Sequence, residues 1–228
     1  MGRVSSGLCV RGGLCVRGRL CVKGRVFLVL AGFPAVVWGQ YKADGAGAPP
    51  PELKPAIVQT LEKGGFLISE NGVKYCEIWF RASLPSAAPS KEPNVTLPNI
   101  PVGAMLGVIR FNTQGSDRRG QTIQPGLYML RYGILPNNGR HEGAAPQRDF
   151  LLLTPAAEDQ DPNSTPKFDA LIALSRDASR TQHPAVLSFR KADSDAPGFG
   201  QQGDTDWVLQ ANIGATSVAV ILAGVADN

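Results

Sequence analysis

Two stretches of this chain bring together side chains able to do chemistry. The first holds Tyr75, Glu77, Trp79 and Arg81 at a spacing of two. That spacing places side chains on one face of a β-strand, so flat aromatic rings would lie beside a carboxylate and a guanidinium. Such a face stacks on a sugar ring or a peptide group while its charged neighbours set the orientation. Tyr75, Trp79 and Arg81 are the predicted ligand-binding residues; the competing expectation is that the helix after Thr165 covers this face and the rings are simply packed. The second stretch, Glu158-Asp159-Gln160-Asp161-Pro162-Asn163, sets oxygen donors at alternate positions, as the first half of a calcium loop does. Glu158, Asp159, Asp161 and Asn163 are candidate calcium ligands on that ground, and no other cofactor is expected. Further along, Ser164 stands where the turn glycine belongs and Ala170 where the bidentate Glu belongs. The competing expectation is an acidic, solvated loop ahead of a helix N-terminus, which favours carboxylates.

The natural general bases are the two histidines, His141 in an Asn-Asn-Gly turn and His183 just before Pro184. His141-Glu142 lacks the second histidine four residues on that a zinc-protease helix carries. Cys76 alternates with Ile78 and Phe80, which places its thiol in a core, where burial raises its pKa and leaves it inert. Neither a G-x-S-x-G elbow nor a phosphate loop occurs, which disfavours α/β-hydrolase and nucleotide-hydrolysing classes.

Residues 1–39 read as an address. Six basic residues and no acid precede a 13-residue apolar run from Val26 to Trp38, and Gly39 offers a small residue for cleavage. Interrupted by Pro34, that run would rise only about 20 Å as a helix, short of the roughly 30 Å of a bilayer core. The expected location is therefore periplasmic or secreted, with no membrane span after signal removal. Upstream, Gly7-Leu8-Cys9-Val10-Arg11-Gly12 repeats as residues 13–18 and, with Arg19 and Lys23, as residues 19–24. Single cysteines at that interval lack the paired spacing of a zinc site, and the hexads read as a translated repeat ahead of the true start. Without the leader's six basic residues, residues 40–228 hold 17 Lys and Arg against 19 Asp and Glu, a net charge of −2. That charge gives no electrostatic footprint for nucleic acid. Only Cys76 remains, so packing and not an internal disulfide must hold the exported domain.

The elements that must position these residues read mainly as strands. Residues 40–51, rich in Ala, Gly and Pro, are predicted to be flexible, and residues 52–228 form the folded domain. Leu53, Ile57, Val58 and Leu61 suit a short amphipathic helix ending at Gly64-Gly65. Strands are predicted at 66–69, 73–82, 104–111, 126–135, 148–153, 185–191, 207–213 and 217–225. Asn71-Gly72 supplies a type I′ turn between the first two. A second helix follows Thr165 as N-cap and Pro166 at its first position. The five prolines of the loop 84–103 forbid helix or central strand there, and the loop is long for a compact domain. Eight strands and two helices predict a mainly β fold, an antiparallel β-sandwich decorated by two helices, with a partly open β-barrel as the alternative.

Pro125-Gly126-Leu127-Tyr128-Met129-Leu130 resembles the P-G-x-Y-x-L turn and strand of exported bacterial β-sandwich domains. There Gly126 would take a positive φ in a type II turn. The wider stretch from Asp117 to Phe150 resembles uncharacterised secreted proteins of soil bacteria, a likeness that implies fold and location but no catalytic residues. The expected function is a non-enzymatic domain that binds a ligand or partner in the cell envelope or outside it. The alternatives are a secreted hydrolase using His141 or His183 with nearby carboxylates, and a structural envelope component.

Overall fold

The computed structural model describes residues 41–136 and 147–226. The leader, its hexads and His141 lie outside the described residues. Ten strands form one antiparallel sheet in the order β1 (Tyr41–Ala46), β2 (Gly65–Glu70), β3 (Val73–Phe80), β4 (Met105–Phe111), β7 (Gly126–Ile134), β8 (Asp149–Pro155), β9 (Val186–Lys191), β12 (Thr216–Ala223), β11 (Asp206–Ile213) and β10 (Gly198–Gln202). A separate small hairpin joins β5 (Gly115–Ser116) to β6 (Thr122–Ile123). The helices are α1 (Pro55–Val58) and α2 (Phe168–Ser179).

Among the described residues an unbroken ladder from β1 to β10 leaves no second large sheet to form a sandwich. The sheet curls into a nearly closed barrel, the alternative architecture expected from the sequence. Its interior is apolar and includes Ile68, Cys76, Ile78, Phe111, Tyr132 and Phe189. An eight-stranded barrel is about as wide as wall side chains can fill, and this one has ten. Aromatic rings and two inserted segments occupy the extra space. At the upper end, Leu97 and Ile100 of the proline-rich loop join the interior, and at the lower end Ile123 of the β5–β6 hairpin does. The long loop is thus a plug.

The plug is fastened through Asp149, which is wholly buried at the start of β8. Its carboxylate accepts bonds from the Thr96 N–H (2.7 Å), the Thr96 hydroxyl (3.1 Å), the Leu97 N–H (3.1 Å) and the Tyr132 hydroxyl (2.7 Å). The Thr96 hydroxyl in turn accepts the N–H of Lys191, so the loop also ties to β9. Four donors compensate a carboxylate that would otherwise be costly to bury.

Outside the barrel, Leu53, Ile57 and Leu61 pack on Trp79, Met105, Val108 and Met129. The predicted N-terminal helix shrinks to the four residues of α1, yet its apolar residues reach the core. Helix α2 lies on β8, with Leu171, Ser175 and Ala178 buried. Thr165 does not cap it: the N-cap is Lys167 in an extended conformation with no side-chain cap bond. The carbonyl of Ser164 is held by Arg131, which keeps the chain before Lys167 out of the helix. No helix among the described residues is long and apolar enough to cross a membrane.

Two local expectations change in the fold. Residues 41–46, expected to be flexible, pair along β2 as strand β1, because the small residues of this segment fit a sheet edge whose partner is already in place. Gly126 is the first residue of β7 and is not among the positive-φ glycines. A Cβ there would lie 2.8 Å from the Tyr128 hydroxyl, which donates to the carbonyl of Gln124 at 2.9 Å. Close packing of the ring, not turn geometry, is what demands glycine. Gly198-Phe199-Gly200-Gln201-Gln202-Gly203 has G-x-G-x-x-G spacing, but it forms edge strand β10 and not the strand-to-helix turn that cradles phosphate. The type I′ turn forms as expected, with φ of 51° at Asn71 and 82° at Gly72.

All four tyrosines of the chain have pKa values raised above the ordinary 10.0, first by burial. At Tyr41 a bond to Glu70 adds to the effect, and at Tyr132 the bond to Asp149 does. The folded state therefore holds tyrosyl protons that the unfolded state releases above about pH 10, so stability is expected to fall as pH rises beyond that point. Ultraviolet absorbance during alkaline titration should show tyrosinate appearing together with unfolding; a separate earlier tyrosinate step would contradict the packing described. Asp149→Ala leaves the Thr96 N–H, the Thr96 hydroxyl and the Leu97 N–H without their acceptor and is expected to cost on the order of 3 kcal/mol. Urea unfolding measures that cost, and limited proteolysis should find new cleavage within residues 84–103.

Candidate functional site

The aromatic face expected on β3 does not form. Pairing between β2 and β3 steps from Ile68 opposite Cys76 to Ser69 opposite Lys74, so Tyr75 is an extra, bulged residue. The bulge breaks the period of two and turns Tyr75 into the barrel, where it meets Phe111 at 5.5 Å between ring centroids and donates to the carbonyl of Leu222. Trp79 remains on the outer face but is 3% exposed beneath the α1 segment, its indole N–H bonded to the carbonyl of Gly47. The cover is therefore α1, not the helix after Thr165. Arg81 donates to the carbonyl of Pro162 at 2.7 Å, and burial, with Arg131 nearby, lowers its pKa. These three side chains share no surface on which a ligand could stack.

Nor do the acidic residues assemble as calcium ligands. Arg131, wholly buried on the outer face of β7, forms a bidentate pair with Asp159 at 2.8 and 2.5 Å. Its remaining N–H groups reach the carbonyls of Gly103, Ser164 and Asp161 at 2.7 to 3.0 Å. All five guanidinium donors thus have acceptors. Asp159 also accepts the Thr154 hydroxyl, and the Asp161 carboxylate takes the N–H of Asn163. Among the described residues no group of three or more His, Cys, Asp or Glu side chains could hold a metal. The acidic segment is a clamp that folds residues 156–165 over Arg131. Gly103 serves the same clamp: its φ is +89°, and a Cβ would lie 2.7 Å from the carbonyl oxygen of Pro166.

Cys76 is buried as expected, and burial, with Glu77 beside it, pushes its thiol pKa up. His183 is exposed, and its backbone carbonyl accepts bonds from Gln121, Ser179 and Thr181.

That histidine borders the most enclosed of three notable cavities. It is a pocket of about 270 Å³ between α2 and the barrel wall. Phe150, Val186 and Leu135 supply the barrel side, and Phe168 and Ile172 the helix side. Arg119, Arg176, Gln182 and His183 stand at its polar margin. Phe168, Ile172 and Arg176 recur every four residues and so share one face of α2, next to the stripe that Leu171, Ser175 and Ala178 bury. The two stripes together give α2 more apolar width than packing on β8 consumes. That surplus, readable in principle from the sequence, is the signal that could have pointed here.

The second cavity is a cleft of about 660 Å³ along the barrel seam, between β1 and β10. These edge strands share no ladder. Aromatic rings bridge them instead: Tyr41 meets Trp207 at 5.4 Å, and Phe199 stacks on Trp207 at 5.7 Å. The third, of about 550 Å³, lies at the upper mouth between the plug and the β11–β12 turn, lined by Ser86, Thr96, Asn99, Lys191 and Thr216 among others.

Comparison of the chain with protein families, curated proteins and solved structures yields no match.

Removing either partner of the clamp strands a buried charge, so Arg131→Leu and Asp159→Ala are each expected to cost about 3–5 kcal/mol, and the double variant less than their sum. Urea unfolding of the set measures this. Calcium added at millimolar concentration should leave the melting temperature unchanged, and a rise would reinstate the acidic segment as a ligand set.

Proposed function

We propose that the protein is an exported, non-enzymatic domain that binds a small apolar ligand in the cell envelope or outside it. The observation that carries this reading is the pocket under α2. Its walls are side chains of two independently anchored elements, and its volume of about 270 Å³ lies near the lower end of small-ligand sites, roughly 300–1,000 Å³. A single ring or a medium-length chain suits that size. The leader supports export, and the charge of −2 in residues 40–228 agrees with a ligand other than nucleic acid. For the hydrolase alternative, a general base must lie within hydrogen-bond reach of its partners. Among the described residues no Asp or Glu lines the pocket that His183 borders.

A second reading rests on the seam. Two unpaired strand edges face a common cleft, and a Cβ added at Gly45 or Gly198 would meet nothing within 4 Å. An extended segment of a partner could add main-chain bonds to such an edge.

Ligands that bind only the native state raise its stability, by about 2.7 kcal/mol at a hundred times Kd. Thermal shift of the purified protein with octanol and with toluene should therefore show a rise in melting temperature. Ile172→Trp, which fills the pocket, should remove that rise. A flat response to both compounds favours the structural alternative, and a rise that survives Ile172→Trp places the ligand elsewhere.

A further inference from the structure

We infer that the pocket under α2 selects amphiphilic monoanions, compounds with a ring or medium-length chain for a body and a single carboxylate for a head; the inference rests on the reading of this pocket as a ligand site. Charge around the pocket is one-sided. Among the described residues its lining holds two guanidinium groups, Arg119 and Arg176, and no Asp or Glu. Arg119 is partly engaged, since it donates to the buried carboxylate of Asp117 at 3.1 Å. Arg176 is exposed and its guanidinium has no hydrogen bond or ion pair among the described residues. The acids of α2 lie off this face. Asp169 and Asp177 each follow a pocket-facing residue by one position, a rotation of about 100° around the helix, and Asp177 lines a different cleft with Gln160 and Glu52.

Position along the helix completes the argument. Ile172 and Phe168 lie about one and two turns before Arg176 on the same stripe. A ligand whose apolar body lies against those two side chains therefore has its head at the guanidinium. A carboxylate there gains bonds from a planar donor fork that fits it. An alcohol of the same length gains the apolar contacts alone, and an ammonium is repelled. The margin is also held in place, because the 180–184 segment is tied to the β5–β6 hairpin through Gln121, which donates to the carbonyls of His183 and Pro184.

The test compares octanoate, octanol and octylammonium on the purified protein by calorimetric titration, below their aggregation concentrations. Octanoate is expected to bind about tenfold more tightly than octanol, the scale of a charge-assisted hydrogen bond, and octylammonium most weakly. Raising the salt concentration should narrow the preference, since the head group lies at a solvent-exposed margin. Arg176→Gln, an exposed substitution that leaves the packed stripe intact, should lower octanoate to the level of octanol without changing octanol. Equal binding of octanoate and octanol would overturn the inferred class while leaving the apolar pocket standing. Undiminished octanoate preference in Arg176→Gln would overturn the assignment of the head-group site. Failure of all three to bind would remove the pocket reading itself.

Discussion

A ten-stranded antiparallel sheet curled on itself encloses more volume than its own inward side chains can fill, and nearly every unusual feature of this molecule answers that excess. Large rings such as Tyr75, Phe111, Tyr132 and Phe189 project inward, the proline-rich loop contributes Leu97 and Ile100 from above, and the β5–β6 hairpin contributes Ile123 from below. Protein interiors tolerate few voids larger than a water molecule. The plugs therefore belong to the core as much as the strands do. The same excess explains the seam: β1 and β10 approach but stop short of pairing, and the rings of Tyr41, Trp207 and Phe199 close the gap by contact.

Inserted segments need anchors, and here the anchors are polar. Asp149 fastens the upper plug through four hydrogen bonds, one of them from Tyr132 on the neighbouring strand. Arg131, one residue earlier on the opposite face of β7, fastens residues 156–165 on the outside. Adjacent positions on one strand thus hold a loop inside the barrel and a loop outside it. Buried charges are costly unless their partners are complete, and both sets are complete. The outer clamp also decides where α2 begins, because it holds the Ser164 carbonyl and delays the helix to Phe168.

That late start bears on the pocket. It leaves Phe168 as the first residue of α2, packed edge-on against Phe150 at 6.2 Å, and the stripe that continues through Ile172 and Arg176 faces a space that β8 and β9 do not fill. The cavity exists because a helix with two apolar stripes lies on a wall that covers only one. Its cationic margin joins Arg176 of that stripe to a second source, the tip of the β5–β6 hairpin, which brings Arg119 to the same opening.

Apolar runs, alternation and the turn residues between them were enough to locate eight of the ten strands of the large sheet and the inward face carrying Cys76, Ile78 and Phe80, since these are local properties. The Asn71-Gly72 turn was equally legible, because two positive φ values are a demand on residue type. Strands β1 and β10 were not legible: apart from one aromatic residue each, Tyr41 and Phe199, they are small, polar and glycine residues, and they are strands because a neighbouring edge accepts them. The candidate ligand face failed at a single bulged residue, Tyr75, whose displacement follows from the register with β2. The acidic segment failed because its decisive partner, Arg131, lies 28 residues away in the chain. Left to itself, the amino-acid sequence determined composition, charge and the alternation that makes strands, each set within a few residues. Tertiary structure alone decided which faces stay exposed, which charges meet and where a cavity remains, because those depend on segments that the chain brings together only when the sheet curls.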